Sequence, residues 1–289
     1  MIAAGLIVAV LGTNPVQAQL DTLNGNRSDG PADPLRLAIV GGTVAATMVA
    51  VHFYQQNGWW KDNQTSFHFQ EDLDYSLGVD KIGHFYGASG LTFILSKSLM
   101  WANVPQRESL LIGAGTSILF QTYVEIRDGY SAWGFDRVDF AANVGGALYP
   151  VAQHYVPVLK NFNLKASYHP SDLLNNPGGI GFRGQQHLIL DDYEGQTFWL
   201  SLTVNNLLPK EAEPFWPDWL ALSLGYGARN VADPTAHSIL LIALDYDMTR
   251  IIPQSSAFLR TLSEALNYIH FPAPAVRISP SAIWYGFYF

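Results

Sequence analysis

The residues that could do chemistry are concentrated between positions 80 and 146 of the chain. In this stretch eight polar side chains lie inside or at the edges of segments that otherwise have the character of apolar helices. They are Asp80, Lys81, His84, Glu125, Asp128, Asp136, Asp139 and Asn143. Polar groups in such places are costly to bury unless they contact one another. We therefore expect these side chains to converge in one polar cluster.

Helical spacing places several of these side chains on shared faces. Asp80 and His84 are four residues apart and share a face once the helix has begun, although Asp80 could instead cap the helix N-terminus. Asp136 is a candidate N-cap of a later helix, whereas Asp139 and Asn143 fall inside it. His84, Asp139 and Asn143 are therefore the hardest residues to explain as caps or loop residues.

Glu125 and Asp128 are predicted to lie at the C-terminal end of a helix, just before the turn sequence D-G. Acidic groups at this end oppose the helix macrodipole. Lys81, Arg127, Arg137 or a bound cation would have to compensate for them.

Three chemistries fit this inventory of side chains. His84, Glu125 and Asp139 could ligate a divalent metal, the one cofactor that the residue types favour. His84 could alternatively act as a general base beside Asp80 or Asp139, with Lys81 holding a phosphate or carboxylate. The leading hypothesis is a structural network of salt bridges and hydrogen bonds. The candidate catalytic cluster comprises Asp80, Lys81, His84, Glu125, Asp139 and Asn143.

The composition is typical of a membrane or envelope protein. Hydrophobic residues make up 48 % of the 289 residues and charged residues 14 %, against about 25 % charged residues in an ordinary soluble domain. The formal net charge of −8 argues against nucleic acid as a partner. The absence of cysteine excludes disulfides, thiolate metal ligands and a lipidated cysteine.

Four consecutive regions follow from changes in composition along the chain. We predict a signal peptide, a linker rich in Gly, Asn, Asp and Pro, a helical bundle domain and an antiparallel β-rich domain with one amphipathic helix. Their predicted bounds are 1–18, 19–34, 35–159 and 160–289.

The bundle is predicted from four apolar segments, which are short for membrane-spanning helices or are interrupted by small and charged residues. These segments are 37–54, 83–104, 109–124 and 138–159, the last broken by Pro150 and Pro157.

The second half of the chain alternates between apolar and polar residues, which is typical of antiparallel strands. The clearest stretches are 197–204, 219–227 and 238–248, the weaker ones are 162–168, 179–183 and 186–191, and a helix is predicted within 254–270. The C-terminal S-A-I-W-Y-G-F-Y-F resembles the closing strand of an outer-membrane barrel. A small sheet packed against the helices is the alternative to a barrel, and both remain open at this point.

D-K-I-G-H-F, the acidic helix end and D-x-x-x-N-x-x-G together resemble the signature of the YfiM-like family of predicted bacterial periplasmic or outer-membrane lipoproteins of unknown function. The motifs are similar, more distantly, to those of VanZ-like membrane proteins. The resemblance spans about residues 79–150, and the chain departs from the lipoprotein pattern in having no cysteine. The matched positions are Asp80, Lys81, His84, Glu125, Asp139, Asn143 and Gly146. The resemblance implies an envelope setting and supplies no reaction.

We therefore predict an α+β protein, with a compact four-helix hydrophobic bundle followed by an antiparallel, possibly barrel-like unit. The expected setting is the outer membrane or a periplasm-facing membrane, with the inner membrane as the alternative and membrane lipid as a partner. The competing hypothesis to a structural cluster is a hydrolase or transferase. Such an enzyme would act on a lipid-linked or phosphorylated envelope substrate through His84 and nearby carboxylates.

Overall fold

The predicted α+β architecture is confirmed. A computed structural model describes residues 30–289 except 59, 62–63, 175–188, 191 and 232. The predicted signal peptide, nearly all of the predicted linker and the candidate strand 179–183 lie outside the described residues. The helices are α1 (Pro34–Asn57), α2 (Val79–Trp101), α3 (Gln106–Gly129), α4 (Arg137–Tyr155), α5 (Met248–Ile251) and α6 (Ala257–Leu266).

The N-terminal ends of α2 and α4 determine which polar residues cap a helix and which lie within it. Gly78, with a φ of 78°, precedes α2, so Asp80 lies in the first turn of the helix and is not its N-cap, contrary to one of our two predictions. Asp136 does cap α4, because its carboxylate accepts a hydrogen bond of 2.6 Å from the amide of Val138. The helix then continues through Pro150, where we had predicted a break.

Small residues allow α2, α3 and α4 to approach one another closely. A Cβ atom built on Gly146 of α4 would lie 2.0 Å from the carbonyl oxygen of Phe85 in α2. Thr92 in α2 donates a hydrogen bond of 3.1 Å to the carbonyl of Ala147 in the same crossing. The contact of α2 with α4 therefore fixes the distance between the polar residues on these two helices.

Two helices of the described chain could cross a membrane by length and composition, α1 and α3. Of the most apolar 18-residue window, 6 % is buried in α1 and 33 % in α3. An apolar cleft of about 870 Å³ separates α1 from α2 and α6. The helix α1 is thus the most exposed apolar element among the described helices.

The second half of the chain forms one six-stranded antiparallel sheet in the sequence order β1 to β6. The strands are β1 (Phe162–Tyr168), β2 (Gln196–Leu202), β3 (Leu220–Arg229), β4 (His237–Tyr246), β5 (Ala273–Ser279) and β6 (Ile283–Tyr288). The sheet curls, because Lys165 of β1 reaches Asp245 of β4, three strands further on. It is not closed into a barrel, so the barrel alternative is wrong and the open sheet packed against the helices is correct.

The two faces of the sheet differ in polarity. Polar and small side chains of β1, β3 and β4 lie buried on the inner, concave face. A row of paired residues crosses the outer face of all six strands and contains no charged residue. It consists of Leu164, Leu200, Leu224, Ile242, Val276 and Trp284.

The outer face meets the helical unit near one end of the strands. Phe198 of β2 and Ala228 of β3 form a buried cluster with Val79 at the start of α2. The first turns of α2, which carry Asp80 and His84, are therefore held against the sheet.

The remaining strand predictions have mixed outcomes. The predicted strand 162–168 is β1, and the C-terminal strand is β6. Of the candidate strand 186–191, the described residues Ile189 and Leu190 form a turn. The strand β5 was not predicted.

Candidate functional site

The imidazole of His84 lies at the centre of the polar cluster, with polar groups on both of its nitrogen atoms. Its Nδ1 is 3.2 Å from Asn143 Oδ1 and 3.5 Å from Glu125 Oε1. Its Nε2 is 3.6 Å from Asp80 Oδ1 and 3.8 Å from Asp139 Oδ2. Helices α2, α3 and α4 each supply part of this arrangement.

The hydrogen bonds of Asn143 determine how His84 is protonated. The side-chain amide of Asn143 donates to Glu125 Oε1 at 2.8 Å, and its Oδ1 accepts from Gln121 Nε2 at 3.0 Å. Because Oδ1 can only accept, the Nδ1 of His84 carries a proton directed at it. In the neutral imidazole the lone pair of Nε2 would then face two carboxylates, Asp80 and Asp139. A proton or another cation is needed between them.

Lys81 joins the second half of the cluster. Its Nζ is 2.5 Å from Asp72, 3.1 Å from Asp80, 2.9 Å from Asp136 and 2.9 Å from Asp139. The ammonium group is thereby surrounded by carboxylates. The predicted role of Lys81 in holding a phosphate or carboxylate stays a prediction.

The predicted compensating arginines have other partners. Arg127 stacks over the ring of Trp60 and donates a hydrogen bond to Gln56. Arg137 pairs with Glu71 at 3.2 Å, on the surface. Of the three basic residues proposed from the sequence, Lys81 is the one that the structure brings to the cluster.

Negative groups outnumber positive ones in the cluster. The carboxylates are Asp72, Asp80, Glu125, Asp128, Asp136 and Asp139. Among the described residues, Lys81 is the only lysine or arginine within salt-bridge distance of them. Even with His84 protonated, six acidic groups face two cations.

Burial and mutual repulsion raise the pKa of several of these acids. Burial is the main cause in each case, and it raises the pKa of Glu125 to about 8, of Asp128 to about 7 and of Asp139 to about 6. Neighbouring carboxylates add to the effect. These groups thus hold protons over a range in which an exposed carboxyl group is ionised.

Two other groups respond to the same surroundings. Burial acts to lower the pKa of His84, but Asp80, Asp139 and Glu125 outweigh it and raise this pKa. Asp136 is the exception among the acids, since hydrogen bonds from Lys81 and the backbone outweigh burial and lower its pKa to about 2.

The cluster forms one wall of a cavity of about 460 Å³ between the helices and the β1–β2 edge of the sheet. His84 keeps 24 % of its side chain exposed. The lining also includes the aromatic residues Tyr75, Trp133, Tyr193 and Phe198, which we call the aromatic wall. The hydroxyl group of Tyr193 donates a hydrogen bond of 2.6 Å to Asp80 Oδ1.

All six residues of the predicted candidate cluster come together, and four further contributors were not predicted. Asp72 binds Lys81, Trp60 donates to Asp128 at 2.7 Å, Gln121 donates to Asn143, and Tyr193 donates to Asp80. Asp72 and Trp60 lie between helices and Tyr193 follows the helical region. Helical periodicity therefore gave no indication of these three residues.

Two sets of side chains have the spacing of metal ligands, with one ligand atom of each residue within 4.8 Å of the others. Asp72, Asp136 and Asp139 form one set, but Lys81 Nζ is hydrogen-bonded to all three. Asp80, His84 and Asp139 form the other. Glu125, which we predicted as a ligand, lies on the Nδ1 side of the ring and not in this second set.

Comparison with protein families gives one match to this part of the chain. Residues 57–153 are similar to the family described as predicted periplasmic lipoprotein (DUF2279). The matched stretch contains α2, α3 and α4 and every residue of the predicted candidate cluster. The match supports a cell-envelope protein with a periplasmic association and an unassigned activity. The resemblances to YfiM-like and VanZ-like proteins remain predictions. Comparison with curated proteins and with solved structures gave no match.

Proposed function

We propose that this envelope protein is a hydrolase or transferase whose centre is the polar cluster around His84. Its substrate would be a phosphorylated or lipid-linked component of the envelope. One observation carries the proposal: His84, Asp80, Glu125 and Asp139, which come from three helices, meet at the wall of a 460 Å³ cavity. Titratable groups that converge in a cleft are where acid–base or metal-assisted chemistry takes place.

The charge of the cluster favours this proposal over a purely structural role. A buried network that only stabilises packing gains most when its charges balance, because uncompensated buried charge is costly. Here the acids exceed the cations, and all six acids line the cavity. Such an arrangement is suited to binding protons, a cation or a polar substrate group.

The structural role remains the second candidate because of Lys81. This residue connects Asp72, which precedes α2, to Asp136 and Asp139 at the start of α4. Removing it would separate these segments. The two functions therefore predict different consequences for His84, which is not needed for that connection.

The substrate class follows from what surrounds the cavity. The aromatic wall supplies apolar contact to a substrate whose reacting group meets the carboxylates. The uncharged outer face of the sheet and the exposed helix α1 favour a position beside a lipid surface. A substrate with one charged and one lipid part fits both features.

Phosphate release is the test of this proposal. The full chain, purified in a mild detergent, would be incubated with p-nitrophenyl phosphate, bis(p-nitrophenyl) phosphate and a polyprenyl pyrophosphate, with and without glycerol as an acceptor. We expect turnover of at least one of these substrates. We expect His84→Gln to lower that rate by about 100-fold or more, because a positioned histidine contributes on that order.

The control is His169→Gln, the same exchange at an exposed histidine outside the cavity lining. It should leave the rate unchanged. Product formation that is equal in wild type and His84→Gln would reject the proposal, as would the absence of any product. If His84→Gln also fails to fold, the structural role gains instead.

A further inference from the structure

We infer that Asp80, His84 and Asp139 form a binding site for one divalent transition-metal ion. This inference deepens the proposed function, since it concerns the same site. The positions of the candidate ligand atoms support it, and so does a buried carboxylate oxygen that has no hydrogen-bond partner among the described residues.

The distances between the candidate ligand atoms suit a metal ion. Asp80 Oδ1 and Asp139 Oδ2 lie 3.6 Å and 3.8 Å from His84 Nε2. Ligands bound at about 2.1 Å from a common ion are about 3.0–3.4 Å apart in tetrahedral or octahedral geometry. The two contacts with His84 would shorten by a few tenths of an ångström on binding an ion, and one ligand atom of each residue already lies within 4.8 Å of the others.

The surroundings of His84 are those of a metal-binding histidine. Its Nδ1 faces Asn143 Oδ1, which fixes the ring orientation and leaves Nε2 directed at the two carboxylates. Metal-ligating histidines commonly donate their other N–H group to such a partner. Asn143 is itself held by Glu125 and Gln121, so the whole arrangement is supported from behind.

A second and independent observation comes from Asp139. This residue is 7 % exposed, and its Oδ1 is buried without a hydrogen-bond partner among the described residues. Its other oxygen, Oδ2, accepts from Lys81 and faces His84. A buried carboxylate oxygen without a partner is costly, and a cation bound by both oxygens of Asp139 would satisfy it.

The ligand types indicate which ion fits. One imidazole nitrogen and two carboxylates suit Mn²⁺ or Zn²⁺, whereas Ca²⁺ requires six to eight oxygen ligands. The neighbouring set around Asp72 and Asp136 already has Lys81 Nζ at its centre. Lys81 also contacts Asp80 Oδ2 and Asp139 Oδ2 but not His84, so the set on His84 is the less occupied of the two.

The test uses the full chain in mild detergent, stripped with EDTA and dialysed against MnCl₂ or ZnCl₂ without substrate. Mass spectrometry of the metal should give one ion per chain. With Mn²⁺, pulsed electron paramagnetic resonance should show coupling to a nitrogen nucleus, which His84→Gln removes. We expect Asp139→Asn to weaken binding by tenfold or more.

The matched control is Asp218→Asn, which removes the same charge at an exposed position. It should leave affinity and nitrogen coupling unchanged. If Asp139→Asn does not fold, as judged by circular dichroism, Asp80→Asn takes its place. Absence of binding at millimolar metal overturns the inference, and so does unchanged binding in the cluster variants.

The result separates this inference from the proposed function. Metal bound through His84 without turnover of any substrate supports the site and rejects the enzyme. Turnover that depends on His84 in a chain that binds no metal supports the enzyme and rejects the metal site.

Discussion

Two buried polar clusters, one in the helical unit and one inside the sheet, differ in charge balance and in access. In the sheet, Asp245 lies 3.2 Å from Lys165 Nζ, accepts from Ser223 at 2.6 Å and is 3.4 Å from His270 Nδ1. These four residues are between 0 and 3 % exposed. One carboxylate thus pairs with one ammonium group on the buried face of the sheet.

The carboxylate of Asp245 is surrounded by its partners, although both ring nitrogens of His270 are buried without a hydrogen-bond partner among the described residues. The ring of His270 stacks on Trp199 with a centroid distance of 3.9 Å. Burial acts to raise the pKa of Asp245, but His270, Lys165 and Ser223 outweigh it and hold this pKa below its usual range. In the helical cluster burial prevails and raises the pKa of Glu125. The comparison favours a structural role for the sheet cluster, and it agrees with the function that we propose for the helical cluster.

The largest expected effect is that of Asp245→Ala. It leaves Lys165 buried without its charge partner, so we expect a loss of about 3–5 kcal/mol in the free energy of unfolding. Urea denaturation followed by tryptophan fluorescence measures it. The double variant Lys165→Met with Asp245→Leu should recover much of the loss, because no isolated charge remains. A loss below about 1 kcal/mol in the single variant would contradict a structural role for this cluster.

Gly146→Ala tests whether packing, and not charge, holds the helical cluster in place. The new methyl group would lie 2.0 Å from Phe85 O, so we expect a loss of about 3 kcal/mol through displacement of α4. Gly90→Ala is the matched control, since a Cβ there has no neighbour within 4 Å. It should be neutral or stabilising by up to about 1 kcal/mol. Equal effects of the two variants would show that the crossing tolerates extra volume.

Acid should weaken the sheet cluster through Asp245. A carboxyl group whose pKa is lowered on folding stabilises the protein above its unfolded pKa, here near 3.8, and this contribution is lost as the pH falls. Between pH 5 and pH 3 the wild type should therefore lose more stability than Asp245→Asn, by up to about 1.4 kcal/mol per pH unit. Denaturation curves at several pH values measure the slopes, with Asp218→Asn as the surface control. Parallel slopes for wild type and Asp245→Asn would show that Asp245 contributes no pH-dependent stability. The two clusters would then not differ in this respect.

The helical site was largely predictable because its residues stand out against an apolar background. A carboxylate or histidine inside an apolar helix has few explanations other than contact with another polar group, so His84, Asp139 and Asn143 could be grouped from the sequence. Asp72 and Tyr193 could not, because they lie in irregular segments that carry no periodicity. Their contacts depend on how the chain returns to the bundle.

The sheet cluster was missed for a different reason. Alternation shows that Asp245 and Leu244 occupy opposite faces, but it does not show which face is buried. Here the face of β4 that carries Leu244 is the outer one, and the face with Lys165 and Asp245 is inside. The strand β5 was not predicted because it contains Pro274. Its pairing with both neighbouring strands, β4 and β6, is also irregular.

The smallest expected effect is that of Asp139→Asn on stability in metal-free protein, and it decides how far the comparison holds. The exchange keeps the shape of the side chain and removes one of the six acidic groups, while Lys81 retains Asp72, Asp80 and Asp136. Relief of repulsion should offset the weakened ion pair, so we expect a change of about 1 kcal/mol or less in either direction. Urea denaturation beside Asp245→Asn, the same exchange in the balanced cluster, measures the contrast. If Asp139→Asn lowers the free energy of unfolding as much as Asp245→Asn does, both clusters stabilise the fold. The cavity beside His84 would then no longer support the proposed function.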